Sequence, residues 1–285
     1  MIKIPAQYVP VEEILPALAE ALAASRCAVL SAPPGAGKTT RVPLALCNEP
    51  WLNKDRILML EPRRLAARRA ATFMAGRLGE RVGQTIGYRI RGDAVVSKTT
   101  RIEVVTEGIL TRMLHENPEL PGVGLVIFDE FHERSIHADL GLAFTRDVQK
   151  NLREDLRILV MSATLDGVAV SRLLDNAPIV ESAGRLYPVE TRYASFRSDK
   201  RLDERVADVV RRALLANEGD VLVFLPGMRE IRHAEEKLQN LRDDSVVVHL
   251  LHGDLSAGLQ EAALEPATRG KRKVILSTSI AETSL

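Results

Sequence analysis

The sequence predicts an α/β protein built on a parallel sheet with helices on both faces. Three observations predict it. Short apolar, β-branched runs recur along the chain, amphipathic stretches of helical length separate them, and the first run leads into a glycine-rich loop that opens a helix. Runs without polar alternation belong to strands buried on both faces. Strands that alternate with helices form parallel sheets through crossover connections.

The strands fall at 27–31, 56–60, 102–105, 125–128 and 158–161, and the helices between them at 64–78, 107–115 and 136–150. Residues 182–188 (SAGRLYP) carry Gly and Pro and mark a boundary. A second block follows, with a helix near 202–217, a strand at 221–225, a helix near 229–241 and strands at 246–250 and 273–276. Three strands are few for a complete doubly wound domain. No solenoid-length repeat or low-complexity tract is present.

Composition narrows the class. A chain of 285 residues holds one large domain or two ordinary ones. With 46% hydrophobic and 27% charged residues it is globular, and 4% aromatics leave an aliphatic core. A net charge of +1 excludes a polycation but leaves nucleic acid open as a partner. The basic residues are 30 Arg and nine Lys, and the planar Arg fork suits phosphate. Two cysteines, Cys27 and Cys47, make neither a disulfide framework nor a zinc site, and buried reduced thiols are expected. The opening MIKIPAQYVP lacks the apolar run of a signal peptide. The apolar stretch 14–30 is broken by Pro16, Glu20 and Arg26, and no window approaches a membrane span. A soluble, cytoplasmic protein is expected.

The loop after the first strand reads Ala32-Pro33-Pro34-Gly35-Ala36-Gly37-Lys38-Thr39-Thr40. Gly35 and Gly37 let backbone N–H groups turn inward around phosphate oxygens, and the helix start adds partial positive charge. Lys38 is placed to bridge phosphates and the Thr39 hydroxyl to ligate Mg²⁺. The pattern G-x-x-x-x-G-K-[ST] is imperfect, because Ala32 stands at its first glycine.

A mononucleotide site needs a carboxylate on a neighbouring strand. The run 125–128 ends in Asp129-Glu130-Phe131-His132-Glu133-Arg134. Asp129 is placed to hold Mg²⁺, and Glu130, also within reach of the metal, to orient and deprotonate an attacking water. His132, Glu133 and His137 spell H-E-x-x-x-H. A zinc helix needs its histidines four apart, so that reading is set aside. Met161-Ser162-Ala163-Thr164 ends the next strand, either as a helix cap or as a polar relay. Residues 61–93 hold eight Arg against three acids, a local balance of +5. Arg63 and Arg64 lie at the strand end where ligands bind, whereas Arg77 and Arg81 suit a solvated helix face.

These segments resemble the DEAH/RHA group of superfamily 2 helicases. The matching pieces are GAGKTT (35–40), LEPRRLAAR (60–68), VVTEGILTRM (104–113), DEFHERS (129–135), MSATLD (161–166), GRLYPVE (184–190), VFLPG (223–227) and IAETSL (280–285), in the family's order. The resemblance implies a RecA-like ATP-binding domain over 1–188 and the start of a second RecA-like domain over 189–285. It implies ATP and Mg²⁺ as ligands and single-stranded RNA or DNA as partner. It places His132, Ser162 and Thr164 in coupling ATP state to the strand, Arg63, Arg64 and Thr106 on the nucleic-acid backbone, and Thr278 and Thr283 in a motif facing both ligands. Ser279 stands where the family usually has Asn. The family's sixth motif, Q-R-x-G-R-x-G-R, would follow Leu285, so a truncated core is expected. The expected function is an ATP-dependent helicase moving on a single strand, preferably RNA. The alternative is a nucleotide- and RNA-binding fragment without efficient turnover. A metabolic P-loop kinase would leave the basic stretch and DEFH without a role.

Overall fold

Apolar strands without alternation are satisfied only where helices cover both faces of a sheet, and the first part of the chain arranges them so. In the computed structural model, residues 9–163, 167–183, 188–195, 199–241 and 245–281 are described. The chain divides into two compact units, Met1–Pro188 and Val189–Leu285.

The first unit holds α1 (Leu15–Ser25), β1 (Cys27–Ser31), α2 (Lys38–Leu46), β2 (Arg56–Glu61), α3 (Arg64–Arg77), β3 (Ile86–Ile90) and β4 (Asp93–Val95). It continues with β5 (Ile102–Thr106), α4 (Glu107–Glu116), β6 (Val123–Phe128), α5 (Ile136–Asn151), β7 (Arg157–Ser162), α6 (Gly167–Leu173) and β8 (Ile179–Glu181). The eight strands pair in the order β4-β3-β5-β2-β6-β7-β1-β8. Every pairing is parallel except the β3–β4 hairpin.

Successive side chains of the central strands go to opposite faces. Leu30, Ile57, Met59, Ile127 and Met161 share one core with Leu18 and Leu22 of α1 and Met74 of α3. Val29, Leu58, Leu60, Val126 and Phe128 share the other with Leu110 of α4, Leu142 of α5 and Val170 of α6. Helix ends follow local chemistry. Pro16 sits in the first turn of α1, where no N–H is needed. The Ser135 Oγ accepts the Ala138 N–H at 3.0 Å and caps α5.

The five predicted strands of this unit are all present, several one or two residues longer. Beyond them the structure adds the hairpin β3–β4 inside the basic stretch, the edge strand β8 and the helix α1. Cys27 and Cys47 are both buried free thiols. Among the described residues no helix is long and apolar enough to cross a membrane.

The second unit contains α7 (Leu202–Ala216), β9 (Val221–Phe224), α8 (Met228–Leu238), β10 (Val246–Leu251), α9 (Ala257–Leu264) and β11 (Arg272–Ser277). Its strands pair in parallel in the order β10-β11-β9. Only the central strand β11 is buried as expected; Leu222 and Phe224 on the edge strand β9 are 37% and 53% exposed. Its core gathers Ala207, Val210, Ile231, Leu238, Val274 and Leu276.

The hairpin at the sheet edge leaves a test. A Cβ on Gly87 would lie 2.6 Å from the Val95 carbonyl oxygen, whereas at Gly76 in α3 it would meet nothing within 4 Å. Gly87→Ala is expected to lower unfolding stability by about 1–3 kcal/mol through overpacking. Gly76→Ala is expected to leave stability level or raise it by up to about 1 kcal/mol. Urea unfolding of the two variants measures both.

Candidate nucleotide and nucleic-acid site

Five parallel strands stop along one edge, in the spatial order β5-β2-β6-β7-β1. The registers Glu61↔Thr106, Leu60↔Phe128, Phe128↔Val160 and Ser31↔Ser162 align their ends. The glycine loop therefore stands at one end of this edge and Thr106 at the other. Four strand spacings separate them, roughly 20 Å.

At the β1 end, Gly35 (φ +75) and Gly37 (φ +93) both adopt left-handed backbone that favours glycine. Gly37 is the N-cap of α2, so Lys38, Thr39 and Thr40 form its first turn. The Ala32 N–H donates to the Ser162 carbonyl at 3.0 Å and ties the loop's start to the end of β7. Lys38 is buried, with Nζ 3.9 Å from Glu130 Oε1.

At the centre, Asp129 is 5% exposed and hydrogen-bonded to the Thr39 side chain. Its Oδ1 accepts the Glu130 N–H at 2.8 Å, while its buried Oδ2 has no partner. Burial raises the Asp129 carboxyl, with Thr39 and Lys38 opposing. Glu130 takes a left-handed backbone (φ +47), unusual for a residue with a side chain. Burial, then the Asp129 charge, pushes its carboxyl up to about 7. His132 Nδ1 accepts the Ala163 N–H at 3.3 Å and lies 3.3 Å from Glu130 Oε2. Burial and Lys38 lower the imidazole, which keeps that ring nitrogen an acceptor.

At the far end, Arg63 and Thr106 are the N-caps of α3 and α4, so the unpaired first N–H groups of both helices stand at the edge. Arg64 is exposed, and Arg63 Nη2 lies 3.4 Å from Glu133 Oε2. The Ser135 Oγ donates to Glu107 Oε2 at 2.6 Å. Much of the basic stretch is engaged internally. Arg68 pairs with Asp93 at 2.7 Å, Arg89 with Glu103 at 2.7 Å, and Arg77 stacks on Phe73. Arg81 and Arg91 are exposed.

The first unit thus brings Gly35, Ala36, Gly37, Lys38, Thr39, Thr40, Asp129, Glu130, His132 and Ser162 to one end and centre of the edge, and Arg63, Arg64 and Thr106 to the other. Thr278 belongs to the second unit, where it follows β11 and its N–H donates to the Leu251 carbonyl at 3.4 Å. Thr164 and Thr283 lie outside the described residues.

Sequence reasoning passed over three residues of this region. Glu61 is 2% exposed and hydrogen-bonded to Asp129; burial and the neighbouring carboxylates raise its carboxyl well above the usual range. A charged residue closing an apolar strand just before Pro-Arg-Arg was the available signal. Glu133 and Glu107 hold Arg63 and Ser135, pairings that spacing alone does not disclose.

The described donors suit a hard cation completed by phosphate. Among the described residues no group of three or more His, Cys, Asp or Glu is arranged to hold a metal by itself. The unpartnered Oδ2 of Asp129, with Thr39 hydrogen-bonded to the same side chain, matches Mg²⁺, which takes one or two carboxylates and fills its shell with phosphate and water.

Comparison with known proteins identifies the family. The family model "DEAD/DEAH box helicase" matches residues 12–173 and "Helicase conserved C-terminal domain" matches 204–285. The chain is 50% identical over 276 residues to the ATP-dependent RNA helicase HrpB of Escherichia coli strain K12, covering 97% of this chain and 34% of that protein. It is 32% identical over 261 residues to the ATP-dependent RNA helicase HrpA of Borreliella burgdorferi, covering 90% of this chain and 32% of that one. The crystal structure of the Escherichia coli DEAH/RHA helicase HrpB superposes with a TM-score of 0.90 at 49% identity, over 98% of this chain and 35% of that chain. The chain thus spans about a third of the length of these relatives. The RecA-like α/β fold, the ordered motifs and the matches over both units converge: the chain belongs to the DEAD/DEAH box helicase family.

Proposed function

We propose that this chain is the nucleotide-binding and strand-binding part of an ATP-dependent RNA helicase that moves on a single strand. Residues 1–188 would form the ATP-binding domain and 189–285 part of the second helicase domain. One observation carries the reading. The phosphate loop and the acidic pair share a single sheet edge with Arg63 and Thr106, and the loop 129–135 contacts both ends. It reaches Lys38 through Glu130, Arg63 through Glu133 and Glu107 through Ser135.

In this reading the inward N–H groups of the loop and Lys38 hold the ATP phosphates. Thr39 and Asp129 would hold Mg²⁺, with Glu130 within reach, and the ion would supply charge that neutralises phosphate. Glu130 receives the proton of the attacking water, and a carboxyl near 7 is matched to that task at neutral pH. His132, through the Ala163 N–H, links Glu130 to the residue that follows β7. Arg63, Arg64, Thr106 and Thr278 contact the RNA backbone. A cytoplasmic setting fits an RNA substrate.

A second reading concerns turnover. No Q-R-x-G-R-x-G-R occurs among the 285 residues. Arginines of that kind are worth about 10³–10⁵ in rate. The chain by itself is therefore expected to bind nucleotide and hydrolyse it slowly.

Binding and chemistry separate in two variants. Lys38→Ala is expected to weaken binding of labelled ATP about ten- to a hundredfold, the loss of a charged hydrogen bond. Glu130→Gln is expected to keep binding and lose the residual hydrolysis. Equal affinity in Lys38→Ala and the unaltered chain would refute the nucleotide site.

Glu130 also sets a pH dependence of stability. Its carboxyl lies above the unfolded value, so its contribution is favourable below about pH 4.5 and is lost as pH rises through about 7. Glu130→Gln removes that loss. It is expected to raise the unfolding midpoint by about 2–6 °C at pH 8 and by less at pH 5.5, read by thermal melts.

For the strand, Arg63→Ala with Arg64→Ala is expected to weaken single-stranded RNA binding. Its salt slope should flatten by up to about 1.4, about 0.7 for each phosphate contact. An unchanged slope would leave both arginines as surface charge.

A further inference from the structure

The segment ahead of α1 touches the phosphate loop at two places and the helix after it at a third, and the reading above leaves all three unused. The Val11 N–H donates to the Ala36 carbonyl at 3.1 Å. Val9 Cγ2 lies 3.0 Å from where a Cβ on Gly37 would stand. Arg41, one turn beyond Lys38 on α2, donates its Nε to Glu12 Oε1 at 2.6 Å, and its Nη2 pairs with the same oxygen. Val11 is fully buried and Arg41 is 8% exposed.

The first contact has a geometric effect. In a trans peptide the C=O and the following N–H point in opposite directions. There are no cis peptides among the described residues. Val11 draws the Ala36 carbonyl toward the segment 9–12, so the Gly37 N–H is turned to the other side, where phosphate oxygens would lie. An Ala36 carbonyl turned inward would meet those oxygens with like partial charge. Gly37 has the freedom to take either orientation (φ +93), so its geometry needs an external constraint. The Glu12–Arg41 pair joins the segment to the helix that carries Lys38 and Thr39.

We propose that residues 9–12 form a clasp that presets the phosphate loop, with Val11 orienting the Ala36–Gly37 peptide and the Glu12–Arg41 pair fastening the clasp to α2. Glu12 and Arg41 are then positioning residues for nucleotide phosphate. The clasp rests on the reading of the loop as a nucleotide site. It gives a role to a nearly buried arginine on α2.

The test titrates a fluorescent ADP analogue with Mg²⁺ into the full 285-residue chain and its variants Glu12→Ala, Arg41→Ala and the double variant. Thermal melts confirm that each is folded at the assay temperature. Each single variant is expected to raise the Kd about three- to tenfold, the range for residues coupled in one network. The double variant is expected to be no weaker than the weaker single one, because both act through one pair. Glu12→Gln, which keeps the hydrogen bond, is expected to recover most of the affinity and serves if the alanine variants fail to fold. Folded single variants with Kd within about twofold of the unaltered chain, or additive losses in the double variant, overturn the clasp. If Lys38→Ala loses binding while Glu12→Ala does not, the nucleotide reading stands and the clasp alone falls. An unaltered chain that binds no ADP overturns both.

Discussion

A parallel strand buried on both faces carries polar side chains mainly at its ends, unless a partner such as Arg89 for Glu103 meets them. β1, β2, β5, β6 and β7 all stop at the same edge, so the polar residues that follow them stand in one line there. The strand order then decides which of them are neighbours. β6 lies between β2 and β7, and so Asp129 and Glu130 adjoin the arginine turn on one side and the Ser162 segment on the other. Neither neighbour is close to them in sequence. The hydrogen-bond ladder of the sheet therefore brings these segments together.

What the side chains add is crowding of negative charge. Glu61, Asp129, Glu130 and Glu133 act on one another's charge, Lys38 reaches Asp129 and Glu130, and Arg63 reaches Glu133, so the carboxylates outnumber the cations in a poorly solvated place. Burial and the neighbouring carboxylates raise the Glu61 carboxyl well above the usual range and push Glu130 up to about 7. Glu130 further adopts a left-handed backbone, at a cost of about 1–2 kcal/mol. Strained backbone and raised carboxyls of this kind cluster at functional sites.

The central strands were legible because nothing polar interrupts them, and the loop 35–40 and the acids 129–130 because they follow such strands directly. The hairpin β3–β4 was hidden by Arg89, whose charge breaks the apolar run of 86–90 and is absorbed by Glu103 on the adjoining β5. α1 was masked by Pro16, which reads as a breaker but occupies the one helical turn that accepts it. In the second unit the strands were found, yet their burial was not, because Leu222 and Phe224 look like core residues and lie on an edge. The pairs Glu12–Arg41, Arg63–Glu133 and Glu107–Ser135 could not be read at all. Sequence shows that carboxylates and arginines exist; only the strand order tells which of them meet.

The two contacts that run from the acidic loop to the arginine turn and to Glu107 have a thermodynamic corollary. An element held at both ends cannot relax at one without a free-energy change at the other. Such coupling between equilibrium binding sites is reciprocal by necessity. Whatever factor a phosphate ligand at Lys38 applies to the affinity for a polyanionic chain at Arg63, that chain must apply, by the same factor, to the affinity for the phosphate ligand.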